Sequence, residues 1–343
     1  MIKDKNGFVH PTINNNLCIE CNLCIKKCPV LSPVKLNEPQ KAYACYNINK
    51  TERFKSASGG IATLLAQSFI KNDDIVYGCA FEQPFEFNHI RCTTYSDIYK
   101  IRNSKYVQSK ISKNIIQSIK KDLAEHKNVM FIGTPCQVAG IKNLFPSNNN
   151  LYLVDIICHG ISSKQFLLDT LPLIMGHINI KNISFREKSR YHFSIVDEND
   201  NLIVNRPLSN DFFMKGFFNG LIFRDSCYTC KYATRKRVSD LTLGDFWGLK
   251  STIISDRIGV SLVLKNTEKG DILFNRIIKN IKSEERPLIE ALAGNEQLNH
   301  PFKKSIRTII FKFLYSKIGY KKALWCTIPD KILAMYIKHL LKK

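Results

Sequence analysis

The sequence predicts an α/β protein with some α+β character, in three parts. A small ferredoxin-like Cys-rich unit comes first, then a mixed, partly parallel sheet domain flanked by helices, then a basic helical tail. Three observations predict this. Runs at Ile75–Phe81, Asn128–Gly133 and Leu151–Ile157 are short and dominated by apolar residues, as strands buried on both faces are. Between the second and third, Gln137–Phe145 places its apolar residues at helical spacing, so strand, helix and strand form a right-handed parallel crossover. The chain's two ends carry an unusual cysteine run and an unusual charge, respectively.

Residues 1–35 hold the run Cys18-Ile-Glu-Cys21-Asn-Leu-Cys24-Ile-Lys-Lys-Cys28-Pro29. This is the bacterial ferredoxin spacing for a 4Fe-4S cluster, in which tight turns let backbone N–H groups face the sulfurs. A zinc knuckle is the alternative, but zinc sites come as two separated C-x-x-C pairs without the trailing Cys-Pro. In two-cluster ferredoxins the fourth Cys of a run serves the other cluster. With a single run, Cys18, Cys21 and Cys24 have an unassigned fourth ligand, and Cys28 has no assigned cluster.

The middle of the chain supplies two small polar clusters. Lys55-Ser-Ala-Ser-Gly-Gly60 precedes the apolar helical run Ile61–Phe69, and such a helix start offers N–H groups and dipole to an anion, for instance a flavin dinucleotide pyrophosphate. An ordinary helix cap reads the same way. Ser104-Lys-Tyr-Val-Gln-Ser109 is a second candidate phosphate cradle with a cationic centre.

A dispersed cysteine set follows. Cys136 and Cys158 stand just past the carboxyl ends of successive parallel strands, where ligands bind in such sheets. Cys227-Tyr-Thr-Cys230 adds a pair on a tight turn. Two plus two thiolates suffice for one further 4Fe-4S cluster; the competing reading makes Cys136 and Cys158 core residues and the pair a zinc or dithiol site. His159 is a candidate proton carrier beside that edge, against the commoner role of bonding to backbone. Asp155 and Asp245, near strand ends, are candidates to orient neighbours, and Arg235-Lys-Arg237 reads as a solvated face or as an attractor for an anionic cofactor tail or an electron-transfer partner. Residues 180–210 alternate around Glu198–Asn201, as a hairpin does.

Hydrophobic residues at 44% and charged residues at 23% exclude wholesale disorder and fibrous architectures. No apolar run in residues 1–17 resembles a secretory signal, and Ile61–Ile70 is half the length of a membrane span, so a soluble cytoplasmic protein is expected. In that reducing setting 12 cysteines point to metal or redox chemistry rather than disulfides. The net charge is +22, and residues 301–343 supply +10 of it, with apolar residues on helical faces. Such a tail either lies on an acidic membrane surface or packs on the domain with a solvated lysine face, the latter being the commoner outcome.

Taken together, Ser56-Ala-Ser-Gly-Gly60, Ser104-Lys-Tyr-Val-Gln-Ser109, Gly133-Thr-Pro-Cys-Gln137, Cys158-His-Gly160 and Cys227-x-x-Cys230 with Asp240–Trp247 resemble the coenzyme F420 hydrogenase and dehydrogenase beta-subunit family. The resemblance implies FAD, held by Ser56, Ser58, Gly59, Gly60, Ser104, Lys105, Gln108 and Ser109. It implies a 4Fe-4S cluster on Cys136, Cys158, Cys227 and Cys230. It divides the chain into a partial ferredoxin-type module (residues 1–35), two parts of the flavin-binding domain (40–125 and 126–300) and the tail (301–343). The expected function is an iron–sulfur flavoprotein oxidoreductase. It would pass electrons between a carrier, ferredoxin or the deazaflavin coenzyme F420, and a substrate or partner redox subunit. Neither the small-molecule substrate nor use of the deazaflavin carries over from the family. Two alternatives stand beside it: an electron-transfer subunit without its own substrate, and a zinc-containing nucleic-acid-binding protein, against which no aromatic-plus-basic recognition motif is found.

Overall fold

The computed structural model describes residues 1–171, 179–186, 192–251, 254 and 258–340. Thirteen strands are described: β1 (Ile2–Lys3), β2 (Val9–His10), β3 (Lys41–Asn47), β4 (Ile75–Glu82), β5 (Glu86–Cys92), β6 (Val129–Gly133), β7 (Leu151–Ile156), β8 (Ile180–Ser184), β9 (His192–Asp197), β10 (Leu202–Pro207), β11 (Leu241–Asp245), β12 (Ser261–Lys265) and β13 (Ile281–Arg286).

Eight of them make one mixed sheet in the order β13-β3-β12-β11-β7-β6-β4-β5. Its middle is parallel: β4 pairs with β6, β6 with β7 and β7 with β11, all in the same direction. The three apolar runs of the sequence are β4, β6 and β7. They lack alternation because both faces are covered. Helices Ile61–Ile70 and Glu268–Ile277 contribute Leu65, Phe69, Leu273 and Phe274 to the core on one face. Helices Lys113–Ala124 and Pro135–Leu144 contribute Ile119, Leu123, Val138 and Ile141 to the core on the other. The helix between β6 and β7 is the expected crossover, opened by a capping box of Thr134 and Gln137 with Pro135 in its first turn.

A second layer stands on this sheet. The antiparallel sheet β10-β9-β8 contains the expected hairpin, whose turn is closed by the Asp197 carboxylate accepting from the Asn199 and Asn201 N–H groups at 2.9 and 2.8 Å. It shares an aromatic core (Phe185, Phe193, Phe213, Phe217, Phe223, Phe311) with helix Phe212–Phe218 and with the tail. The tail forms helices Ile306–Ile318, Tyr320–Thr327 and Pro329–Leu340. As expected of a packed tail, it enters the core through Phe311, Leu324 and Ile332 and keeps Lys303, Arg307, Lys317, Lys321 and Lys322 exposed; its first helix adds two departures, a buried Lys312 and outward-facing Ile306, Ile309, Ile310 and Phe313. Among the described residues no helix is long and apolar enough to cross a membrane.

Candidate functional site: four thiols and a cavity at the sheet edge

Because β4, β6, β7 and β11 run in parallel, their carboxyl ends open on a single edge. β6 leads through Gly133 and Thr134 into the helix at Pro135, which puts Cys136 in that helix's first turn. β7 ends at Ile156 and delivers Cys158 two residues later. A short 3-10 turn, Asp225–Thr229, carries Cys227 and is capped by Cys230. These four residues, far apart in sequence, lie close enough that Cys136, Cys158 and Cys227 each feel the charge of others in the set.

Burial pushes the Cys158 thiol well up, and its three neighbours push it further, while the Gly160 N–H opposes them. Burial likewise moves Cys227 up to about 12, against the Ile161 N–H. The Cys136 thiol is raised by its enclosed surroundings and by Cys230, although the residue keeps an exposed surface, against the Thr134 hydroxyl, which stands 3.3 Å from its sulfur, and the N–H groups of Gln137 and Cys136 itself. Clustered thiols that resist ionisation, with backbone N–H groups already aimed at three sulfurs, fit a cationic inorganic core that would hold them all as thiolates. Among the described residues no three His, Cys, Asp or Glu side chains converge as a single ion would require.

The N-terminal run is built differently. Every residue from 11 to 26 is exposed, including Ile13, Leu17, Ile19, Leu23 and Ile25, so the segment has no core of its own. Cys18, Cys21 and Cys24 are exposed and Cys28 is half-buried. Glu20 and Asn22 take left-handed φ of 54° and 58°, which turn the chain tightly between successive cysteines. A cluster bound by these thiols would supply the missing centre. The segment is fastened to the domain just after Cys28: the Tyr232 hydroxyl donates to Pro29 O at 2.6 Å and Lys231 Nζ to Val30 O at 3.1 Å. Asn143 holds it as well, its side-chain amide donating to Ser32 O at 2.8 Å and its backbone carbonyl accepting from Lys27 Nζ at 2.7 Å. The Tyr232 ring is buried and its hydroxyl is pushed up to about 12, by burial first and then by the charges of Cys136, Cys230 and Cys28 together. One side chain thus senses both cysteine sets.

Beside the four thiols lies a cavity of about 760 Å³. That volume is in the range of small-molecule and cofactor sites. Of the residues expected to hold the flavin, Ser58, Gly60, Ser104, Lys105, Gln108 and Ser109 line it, as do Cys136, Cys158 and His159. Ser56 and Gly59 stand outside its wall. The Ser56 hydroxyl bonds to Glu52 O at 2.7 Å, and Gly59 lies so near β3 that a Cβ would sit 2.4 Å from Cys45 O.

Several lining residues are already committed to the protein. The Lys105 ammonium donates to the carbonyls of Lys100 and Asn103 at 3.0 and 3.4 Å and to that of Arg102 at 2.5 Å, and burial holds it down at about 8. The Gln108 side-chain amide accepts from Val9 N–H at 3.0 Å and donates to Val9 O at 3.2 Å, so it clasps β2. Ser109 Oγ accepts from Gln137 Nε2 at 2.9 Å, which ties the loop to the Cys136 helix. His159 is kept neutral by burial, against Asp245 and Glu296.

Other groups around the cavity carry no obvious sequence signal. His89, Arg102, Asn103, Arg186, Arg224 and Trp247 all line it. His89 Nδ1, Arg102 Nε and Asn103 Oδ1 are buried there without a protein hydrogen-bond partner, which is the condition of a wall shaped for a polar ligand. Arg224 donates to His10 Nδ1 at 3.0 Å, and His10 in turn pairs with Asp4 at 2.9 Å. Asp245 pairs with Arg186, the orienting role its position suggested. Asp155 pairs at 2.9 Å with Arg237, and both are buried. Arg237 therefore departs from a solvated face: its guanidinium also reaches Thr242 and the Thr234 carbonyl and pins residues 234–237 to β11.

Comparison with known proteins bears on this geometry. Residues 11–32 match the family described as 4Fe-4S binding domain. Residues 126–291, the stretch that contributes all four core cysteines, match the family described as the C-terminal part of the coenzyme F420 hydrogenase/dehydrogenase beta subunit. Within this one chain, a segment similar to an iron–sulfur module therefore precedes a segment similar to the C-terminal part of that beta subunit. A chain from the xenon-derivatised F420-reducing nickel–iron hydrogenase complex of Methanosarcina barkeri has the same fold, with TM-score 0.50 and 19% identity over 77% of this chain and 90% of that one. No curated protein matches the chain.

Proposed function

We propose that the protein is an iron–sulfur flavoprotein that transfers electrons between a carrier at its N-terminal module and a reactant in the sheet-edge cavity. The observation that carries this is the meeting of Cys136, Cys158, Cys227 and Cys230 beside a cofactor-sized cavity, with the Cys28 end of a ferredoxin-type run fastened behind them. Bound there, 4Fe-4S clusters would carry single electrons and FAD would exchange them in pairs with a two-electron reactant.

The chain's own groups would bind and orient. Ser58, Gly60 and the start of helix Ile61–Ile70 would receive the pyrophosphate, with Arg224 adding positive charge along a wall where Arg102 and Arg186 are already paired to Glu52 and Asp245. Lys105 shapes the loop by filling its own carbonyls, and Gln108 and Ser109 lock that loop to β2 and to the Cys136 helix. His159, neutral at pH 7 and beside Cys158, would donate or accept a proton at the cavity wall. The likeness to a chain of a hydrogenase complex supports a partner redox subunit as one terminus of the path.

Anaerobic purification followed by iron, sulfide and flavin analysis tests this reading. It expects about eight irons and one flavin per chain, or about four irons if only the core set is loaded. Cys136→Ser should abolish the core cluster signal. Zinc in place of iron, or no flavin, would reject the proposal.

A further inference from the structure

Helix Ile306–Ile318 is apolar on two opposite sides. Inward it sets Thr308, Phe311 and the stem of Lys312 against the aromatic core. Outward it presents Ile306, Ile309, Ile310 and Phe313, exposed by 76%, 57%, 43% and 64%. Those four stand at i, i+3, i+4 and i+7, so they form one continuous stripe. Lys317 continues the stripe, and exposed Lys303, Arg307, Lys321 and Lys322 lie around it in sequence. The next two helices leave Trp325, Leu333, Tyr336 and Ile337 exposed as well. Across residues 301–343 eleven Lys and Arg meet a single acidic residue, Asp330.

We propose that this tail docks the protein on an anionic phospholipid surface. The Ile306–Phe313 stripe would enter the boundary between headgroups and acyl chains, and the surrounding lysines would lie among the phosphates. Charge alone would suit any polyanion, but a nucleic acid has no use for a bare stripe of isoleucine and phenylalanine. A helix that pairs such a stripe with Lys and Arg, with Trp and Tyr close by, has the composition of an interfacial element. The long lysine stems can cover apolar surface while their ammonium groups stay at the phosphates. This proposal stands apart from the electron-transfer reading, and its test does not depend on cluster content.

The intact protein should be co-sedimented with vesicles of phosphatidylcholine alone and with vesicles containing about one-third phosphatidylglycerol. Binding is expected on the anionic vesicles at low salt, weaker by roughly tenfold or more on neutral ones and in about 0.5 M salt. The double variant Ile309→Ser/Phe313→Ser touches only exposed positions; it should lower binding by roughly tenfold while leaving iron content and thermal midpoint unchanged. Lack of binding to anionic vesicles would overturn the proposal. So would vesicle or nucleic-acid binding that the double variant leaves intact, because charge alone would then account for it. A dimer that the same variant dissolves would assign the stripe to a second copy of the chain and would also overturn it.

Discussion

His89 shows how much a single buried side chain can decide. It stacks on Phe131 at 4.9 Å and bonds Ile132 O at 3.3 Å, and burial holds it at about 4 against an ordinary value near 6.5. Between those values the unfolded chain binds a proton that the folded chain refuses. Stability therefore rises with pH across that window and is lost on acidification through it. By pH 5 the loss should be about 2 kcal/mol. Urea unfolding of the wild type and of His89→Gln at pH 7 and pH 5 checks this, the variant lacking that part of the slope. Gly160 makes a second case. Its φ is +140°, and a Cβ there would meet three carbons of the Phe223 ring at 2.7 to 2.9 Å. Phe223 is buried in the aromatic core and cannot retreat. Gly160→Ala should cost at least about 2 kcal/mol. It should also weaken the visible absorbance of the proposed core cluster, because it displaces the N–H that faces Cys158. Neither role was readable from sequence. His89 is one polar residue in a strand, and the Gly160 contact is made by a residue more than sixty positions away.

At the scale of elements, the parallel strands were legible because their burial is written as uninterrupted apolar runs. The capping box before Cys136 and the ferredoxin spacing were legible because local geometry demands particular residues at fixed intervals. The cavity wall was only half legible. Ser58, Gly60 and the Ser104–Ser109 loop come in recognisable clusters, whereas Arg102, Arg186 and Arg224 are isolated cations from distant segments. Arg237 misled in the opposite direction, since a charge run does not reveal that one of its members turns inward to Asp155. The fastening of the N-terminal run is likewise a tertiary fact. It makes a prediction: Tyr232→Phe keeps the buried ring but removes the bond to Pro29 O, at a cost of about 1 kcal/mol. Protease cleavage within residues 11–27 should quicken by roughly fivefold, a factor matching that energy, with the urea midpoint of the sheet little changed. An unchanged cleavage rate would show that Lys231 and Asn143 hold the segment without it.

For the whole molecule, the contrast is between a sheet that is covered on both faces and a cysteine segment that has no buried side chain from 11 to 26. The first should fold without cofactors and the second should need its inorganic centre. Hydrogen exchange before and after anaerobic chelation of iron should therefore show residues 11–27 losing protection first while β4, β6 and β7 keep theirs. Loss of protection throughout the sheet would show that the core cluster holds the domain together. Composition announced the basic tail, but which of its faces packs inward depends on the aromatic core it meets.

Helix Pro135–Leu144 bears Cys136 in its first turn and, through Asn143, grips the peptide around Cys28 in its last. Seven residues of rigid rod, about 10 Å, separate those two points. The helix therefore works as a ruler: one extra turn inserted into it would lengthen the gap between the two sulfur-rich sites by about 5 Å without touching a single cysteine.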